Sequence, residues 1–323
     1  MATKPIRILL QTTLPTLEDD WSIWRFSLLK GYLESLQDEQ GQPLCQITAR
    51  DRQPNADGND PVLSALDRTE FDELWLFALD VGDGLSLSDC AGIIRFHRQG
   101  GGIFTTRDHQ DMGLSMCALD AIGGFHYFNT RQNDPDSDRC RVDDTFTTTI
   151  SFPNYHSGSN GDYQVIQPVE PIHELLLNPE SPTGVIQYFP AHPHEGGVGV
   201  PSNHDSARAI ALGTSKVSGC TFNLIVAGDY PKEGTASHRT QTADGNTLGR
   251  VVAQSTFHHF VDYNWDITKG CPSFVSEPAG DGYQREPEKL NDIKAYVKNL
   301  ALWLAPEPLA SEAKVAATTA INL

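Results

Sequence analysis

Short apolar runs and helix-spaced apolar positions alternate along the first third of the chain. Ile6 to Gln11 is an apolar run suited to a buried strand, and Leu44 to Thr48 and Phe71 to Leu79 repeat the pattern. Between the first two, Trp21, Trp24, Leu28 and Leu29 mark one face of a helix that Asp19 or Asp20 can cap and that runs to about Gln37. Asp60-Pro61 pairs an N-cap with a proline at the first helical position and opens a short helix through Leu66. Ser86 or Ser88 starts another through His97, and Gly100-Gly101-Gly102 leads into a fourth strand. This alternation predicts an α/β fold, a parallel sheet with helices on both faces. Ligands of such folds sit beyond the carboxyl ends of the strands. The turn Asp80–Gly84 and the stretch Arg107–Gly113 both fall on that edge.

The second half is less regular. Asn129 to Asp144 is polar and rich in Asp and Arg, and Ser151 to Asp162 is rich in Gly, Ser and Asn. Both are loop-like, and they place a loop-rich insertion at about 129–183. Val185 to Phe189 is a short strand candidate, while Phe222 to Ala227 and Arg250 to Thr256 are strong ones. A helix from about Glu288 to Leu304 puts Leu290, Ile293, Val297, Leu300, Ala301 and Leu304 on one side. The expected organisation is a single domain over 1–305, with a loosely held Ala- and Thr-rich tail over 306–323.

Charge narrows the partners. The formal net charge is -18, from 42 acidic against 24 basic side chains. Such a chain repels nucleic acid and anionic membranes at long range, so neither is an expected partner. A small polar molecule is, and homo-oligomer formation stays open. Cys45, Cys90, Cys117, Cys140, Cys220 and Cys271 are scattered without a C-x-x-C pair, which argues against a zinc knuckle or a thioredoxin-like motif. The apolar block after Arg7 is too short for a signal-peptide core, and no run reaches membrane-spanning length. A reduced, cytoplasmic protein is the expectation.

Three polar clusters fall at predicted strand ends. In the first, Thr106-Arg107-Asp108-His109-Gln110-Asp111 reads as a strand-turn-helix elbow. His109 beside carboxylates suits a general base or a metal ligand, while Asp108 can equally cap the following helix. The second is His192-Pro193-His194-Glu195, followed by Gly196, Gly197 and Gly199. Its imidazoles and carboxylate can chelate a divalent ion, with His192 and His194 as the candidate ligands, although Pro193 restricts their convergence. A solvated loop is the plainer alternative. The third is His258-His259, with Asp262 and Asp266 beyond. On extended backbone the two rings point to opposite faces, so one faces the cleft at most. The alternative is a core histidine bonded to backbone among Phe257, Phe260, Tyr263 and Trp265.

The elbow resembles the nucleophile elbow of class I glutamine amidotransferases, in which a Cys stands three residues before a His-Gln pair. Thr106 stands at that place here, ahead of His109-Gln110. That family's late catalytic His matches His258 or His259, and Phe260 follows His258 at the spacing where Glu would stand. A glycine-rich strand leading to a His, with a late Gly249-Arg250-Val251 strand running into another, is similar to the ThuA-like, trehalose-utilisation branch. The resemblance spans roughly 5–128 and 184–305. It implies a flavodoxin-like sheet and a link to carbohydrate metabolism, and the Thr implies no glutaminase activity.

The residues thus point to an enzyme acting on a small polar, carbohydrate-derived substrate by hydrolysis or isomerisation. His109 or Glu195 would be the base and His258 the acid, with Thr106, Asp108 and Asp80 as substrate contacts and a divalent metal optional. An inert relative that binds a ligand or partner is the second reading. A working amidotransferase using Cys117 is a third, disfavoured because Cys117 lies two to three helical turns beyond Thr106.

Overall fold

A computed structural model describes residues 4–135, 143, 150, 154–200, 206–228 and 248–306. Among them the elements run β1 (Ile6–Thr12), α1 (Ser27–Ser35), β2 (Cys45–Arg50), α2 (Pro61–Ser64), β3 (Glu73–Phe77), α3 (Leu87–Arg98) and β4 (Gly102–Thr106). There follow β5 (His126–Tyr127), β6 (Tyr163–Val165), β7 (Gln167–Pro168), β8 (Tyr188–Pro190), β9 (Gly197–Val198), β10 (Ala207–Thr214), β11 (Thr221–Gly228) and β12 (Val251–Gln254). The helices α4 (Asp262–Trp265), α5 (Gly282–Arg285) and α6 (Leu290–Leu304) complete the described chain.

The main sheet has the order β2-β1-β3-β4-β12-β11-β10-β7. The first five strands are mutually parallel, and β11, β10 and β7 continue antiparallel. The inner parallel strands alternate side chains between two apolar layers, while the edge strand β2 joins only one of them. Ile8, Leu10, Trp75, Phe77 and Phe104 face α1 and α6, meeting Leu29, Leu33, Ile293, Val297 and Leu300. Leu9, Leu74, Leu76 and Ile103 face α2 and α3, meeting Leu63, Cys90, Ile93 and Phe96. Helices therefore cover both faces, and the parallel order around β1 and β3 is the flavodoxin-like one. No helix among the described residues is long and apolar enough to cross a membrane.

Local chemistry explains the element boundaries. Asp60 caps α2 by accepting from Val62 N and Leu63 N, with Pro61 at the first position. Ser86 and Asp89 form a reciprocal capping box at the start of α3. The helix expected from Asp19 or Asp20 is shorter: residues 23–26 form a 3-10 turn, and α1 starts at Ser27. Competing bonds hold the entry open, because Ser22 Oγ bonds both Leu17 N and Leu17 O, and Asp51 accepts from Ile23 N. β10 is built from small residues that give no strand signal of their own. The 129–183 stretch is not wholly loop, since it supplies β6 and the edge strand β7. Residues 136–142, 144–149 and 151–153 of it, Cys140 among them, lie outside the described residues, as does the tail beyond Pro306.

One core carboxylate has a measurable consequence. Glu73 is fully buried at the start of β3, where Trp75 Nε1 donates to its Oε2 at 2.8 Å. Burial pushes its pKa well above the ordinary glutamate value, the Trp75 bond opposing this only in part. An acid raised in the folded state loses stability once the unfolded chain can ionise, so the penalty grows from about pH 4.3 upward. Glu73→Gln imitates the protonated form. The variant should match wild type near pH 4 and be the more stable at pH 8, with the gap widening as pH rises between the two. Denaturant melts at the two pH values check this, and a constant difference would refute it.

Candidate functional site

The carboxyl edge of the parallel sheet carries a cavity of about 350 Å³. Four of the five parallel strand ends contribute: Leu14 after β1, Leu79 after β3, Asp108 and His109 after β4, and Phe257 and His258 after β12. The loop ahead of β9 adds His192 and His194. Asp20, Trp21 and Glu277 form polar and aromatic parts of the wall.

Asp108 is the centre. It is 2% exposed, and its Oδ1 accepts the Thr256 hydroxyl at 2.7 Å. Three imidazoles approach it: His192 Nε2 at 3.2 Å, His109 Nε2 at 3.7 Å and His258 Nε2 at 3.9 Å. The His192 and His258 rings are stacked, with centroids 3.7 Å apart. Behind them, His192 Nδ1 meets Asn160 Oδ1 at 2.9 Å, and His258 Nδ1 meets Asn264 Oδ1 at 3.4 Å. Asn264 Nδ2 donates to Asn160 Oδ1 and to Ala191 O, which fixes both carboxamide orientations. His194 Nε2 bonds Glu277 Oε1 at 3.0 Å, and its ring lies 5.5 Å from those of His109 and His192.

Burial pushes the pKa of His192 and His258 well below the ordinary histidine value and that of His109 below it. Neighbouring imidazoles deepen the first two shifts, whereas Asp108 opposes those of His258 and His109. The rings are therefore neutral at neutral pH, the state that accepts a proton or ligates a metal.

Backbone packing holds the two loops in register. Gly196 N donates to Ser255 O, and Phe257 N donates to Arg107 O. A Cβ on Gly196 would stand 2.2 Å from Asp108 O, so only glycine permits this approach.

The structure thus brings together Asp108, His109, His192, His194 and His258, which are scattered across the sequence. It does not bring Glu195, Thr106 or Asp80 to the cavity. Glu195 is fully buried behind it, accepting from Ser157 Oγ, Gln164 Nε2, Ser255 Oγ and His259 Nε2. Asp80 is occupied by Gly82 N, Ser115 N and Ser115 Oγ. Thr106 ends β4 with its hydroxyl buried and unbonded among the described residues. Turns and a 3-10 helix follow the elbow rather than an α-helix, so Asp108 caps nothing. His258 and His259 sit in a 3-10 turn capped by Thr256, not on extended strand, and His258 is the one lining the cavity. Asp262 is turned away, bonding Ser27 Oγ and Leu28 N at the start of α1. Asn160 and Asn264 were not singled out, because lone carboxamides carry no motif.

A scan against protein-family models gives no match, and a search of curated proteins gives none. Among solved structures, a ThuA-like protein from Parabacteroides merdae superposes with a TM-score of 0.50 at 14% identity, over 94% of this chain and 90% of that one. The mmIFT52 N-terminal domain gives 0.48 at 11% identity, over 94% and 99%. The glutaminase domain of Trypanosoma brucei CTPS gives 0.40 at 14%, over 91% and 94%. The first likeness, with the strand order, establishes an α/β, flavodoxin-like fold shared with a ThuA-like protein. The other two are too distant to add to it.

Proposed function

We propose that this protein is an enzyme that binds a small polar molecule in the cavity and moves protons on it, in a hydrolysis or an isomerisation. The observation that carries this is the convergence of four buried or nearly buried imidazoles and Asp108 on one cavity at the carboxyl edge of the sheet. A structural core gains nothing from collecting groups that are costly to bury, whereas acid–base chemistry requires them. His109 opens onto the cavity and is suited to exchange protons with the substrate, while Glu277 orients His194 for the same task. Trp21 supplies a flat apolar wall beside the carboxylates of Asp20 and Glu277, which supports a hydroxyl-rich, carbohydrate-derived substrate. Glu195, held by four donors, has no part in this scheme.

The test is a turnover screen of sugar lactones, keto-sugars and sugar amides, with products followed by NMR. Wild type should convert at least one class, and His109→Gln should lower its turnover by roughly 100-fold or more. Saturable binding without conversion would replace this reading with that of a ligand-binding protein. So would turnover that His109→Gln leaves unchanged.

A further inference from the structure

We propose that Asp108, His192 and His258 form the binding site of one divalent first-row transition metal, held by a carboxylate oxygen and two Nε2 atoms and open to the cavity. The inference rests on taking this cavity as the functional site, and it adds what the catalytic reading leaves unsaid.

The geometry begins with the two asparagines. Asn264 Nδ2 gives its protons to Asn160 Oδ1 and Ala191 O, so its own Oδ1 must accept from His258 Nδ1. Asn160 Oδ1, already accepting that bond, must likewise accept from His192 Nδ1. Both rings are therefore Nδ1–H tautomers, and both Nε2 lone pairs turn toward Asp108. His192 Nε2 is buried and has no hydrogen-bond donor among the described residues, although Asp108 Oδ1 lies only 3.2 Å away. The three ligand atoms lie within 4.8 Å of one another, on three buried side chains. Neither Lys nor Arg of the described residues comes within 4.0 Å of Asp108. A carboxylate and two imidazole lone pairs thus face each other with nothing positive between them, an arrangement that repels unless a cation enters.

Nitrogen donors select the cation. Two imidazoles with one carboxylate favour zinc and its first-row neighbours over magnesium or calcium, which prefer oxygen. Three protein ligands leave a position for water or substrate. The carboxamide behind each ring and the Thr256 hydroxyl on Asp108 are the supports that ligating groups need. Because the rings are stacked, their lone pairs run side by side, so loading needs a small rotation of one ring about its Cβ–Cγ bond. His194, bonded to Glu277, stays outside the ligand set.

Full-length, metal-stripped protein should be titrated with ZnCl2 by calorimetry, and with CoCl2 by visible absorption. One equivalent should bind, with the Co2+ spectrum showing nitrogen ligation. Asn264→Leu, which touches no ligand atom, should weaken binding by about 10–100-fold. Asp108→Asn should abolish stoichiometric binding, and circular dichroism would verify that both variants are folded. Absence of an equivalent in wild type overturns the proposal, and so does an equivalent that Asp108→Asn leaves intact. The catalytic reading is tested separately: turnover by protein that binds no metal would sink the metal site alone. Binding without turnover would sink the catalytic reading alone.

Discussion

Replacing Glu195 with alanine is expected to lower the thermal midpoint by roughly 4–8 °C, a larger loss than substitution of a polar residue lining the cavity should cause. The side chain is completely buried, and four donors converge on it: Ser157 Oγ at 2.9 Å, Gln164 Nε2 at 2.6 Å, His259 Nε2 at 3.0 Å and Ser255 Oγ at 2.5 Å. Gln254 Nε2 donates to His259 Nδ1, so the imidazole donates from Nε2 without carrying a charge. The carboxylate ties residues before β6, β6 itself, the turn after β12 and its own loop into one knot. Alanine would leave Ser255 Oγ and His259 Nε2 buried and unpaired at about 1–3 kcal/mol each, while Ser157 Oγ and Gln164 Nε2 keep His192 O and Pro190 O. With the lost packing of the side chain, the net loss is about 3–5 kcal/mol. Scanning calorimetry measures it directly. A midpoint within a degree or two of wild type would show that Glu195 is free to act elsewhere, as the sequence first suggests.

That contrast marks how far sequence could reach. Strands β1, β3, β11 and β12 announce themselves as apolar runs because both faces of their sheet are covered. The caps Asp60 and Ser86 are local hydrogen bonds with a fixed residue code. β10 hides because Ala207, Ala209, Ala211 and Gly213 give no amphipathic signal, and its strand character comes from pairing with β11. Trp21 and Trp24 share helical spacing, yet Trp21 is buried at the cavity and Trp24 is half exposed, because the backbone between them is held by Ser22 and Asp51.

The candidate site divides the same way. Titratable residues at strand ends are legible, so Asp108, His109, His192, His194 and His258 were all in view. Whether a given His–carboxylate pair meets is a question of loop packing over long sequence separations. Asp108 meets His192 only because glycine at 196 lets two loops touch. His258 and His259 both find polar burial, against alternation, because Thr256 caps a tight turn instead of continuing the strand. Adjacent residues in such a turn reach different neighbours, one the cavity and the other Glu195.

Asp108→Asn should separate stability from chemistry by moving them in opposite directions. In the metal-free protein the two imidazole lone pairs and the carboxylate repel one another across 3.2 to 3.9 Å. Asparagine can keep Oδ1 under the Thr256 hydroxyl while its amide takes the place of Oδ2, turning an N–H toward the His258 Nε2 lone pair across 3.9 Å. An attractive N–H dipole replaces a buried charge, so the variant should gain up to about 1 kcal/mol and melt about a degree or two higher. Its turnover should fall by at least ~100-fold, since the charge facing His109 Nε2 at 3.7 Å is lost and cation binding with it. A functional site built at the expense of stability predicts this signature, and a purely structural Asp108 predicts the reverse. If Asp108→Asn instead melts lower, a proton already bridges Asp108 to an imidazole and the facing-lone-pair account is wrong. If it melts higher and turns over as wild type does, the lone pairs are real but the chemistry lies elsewhere.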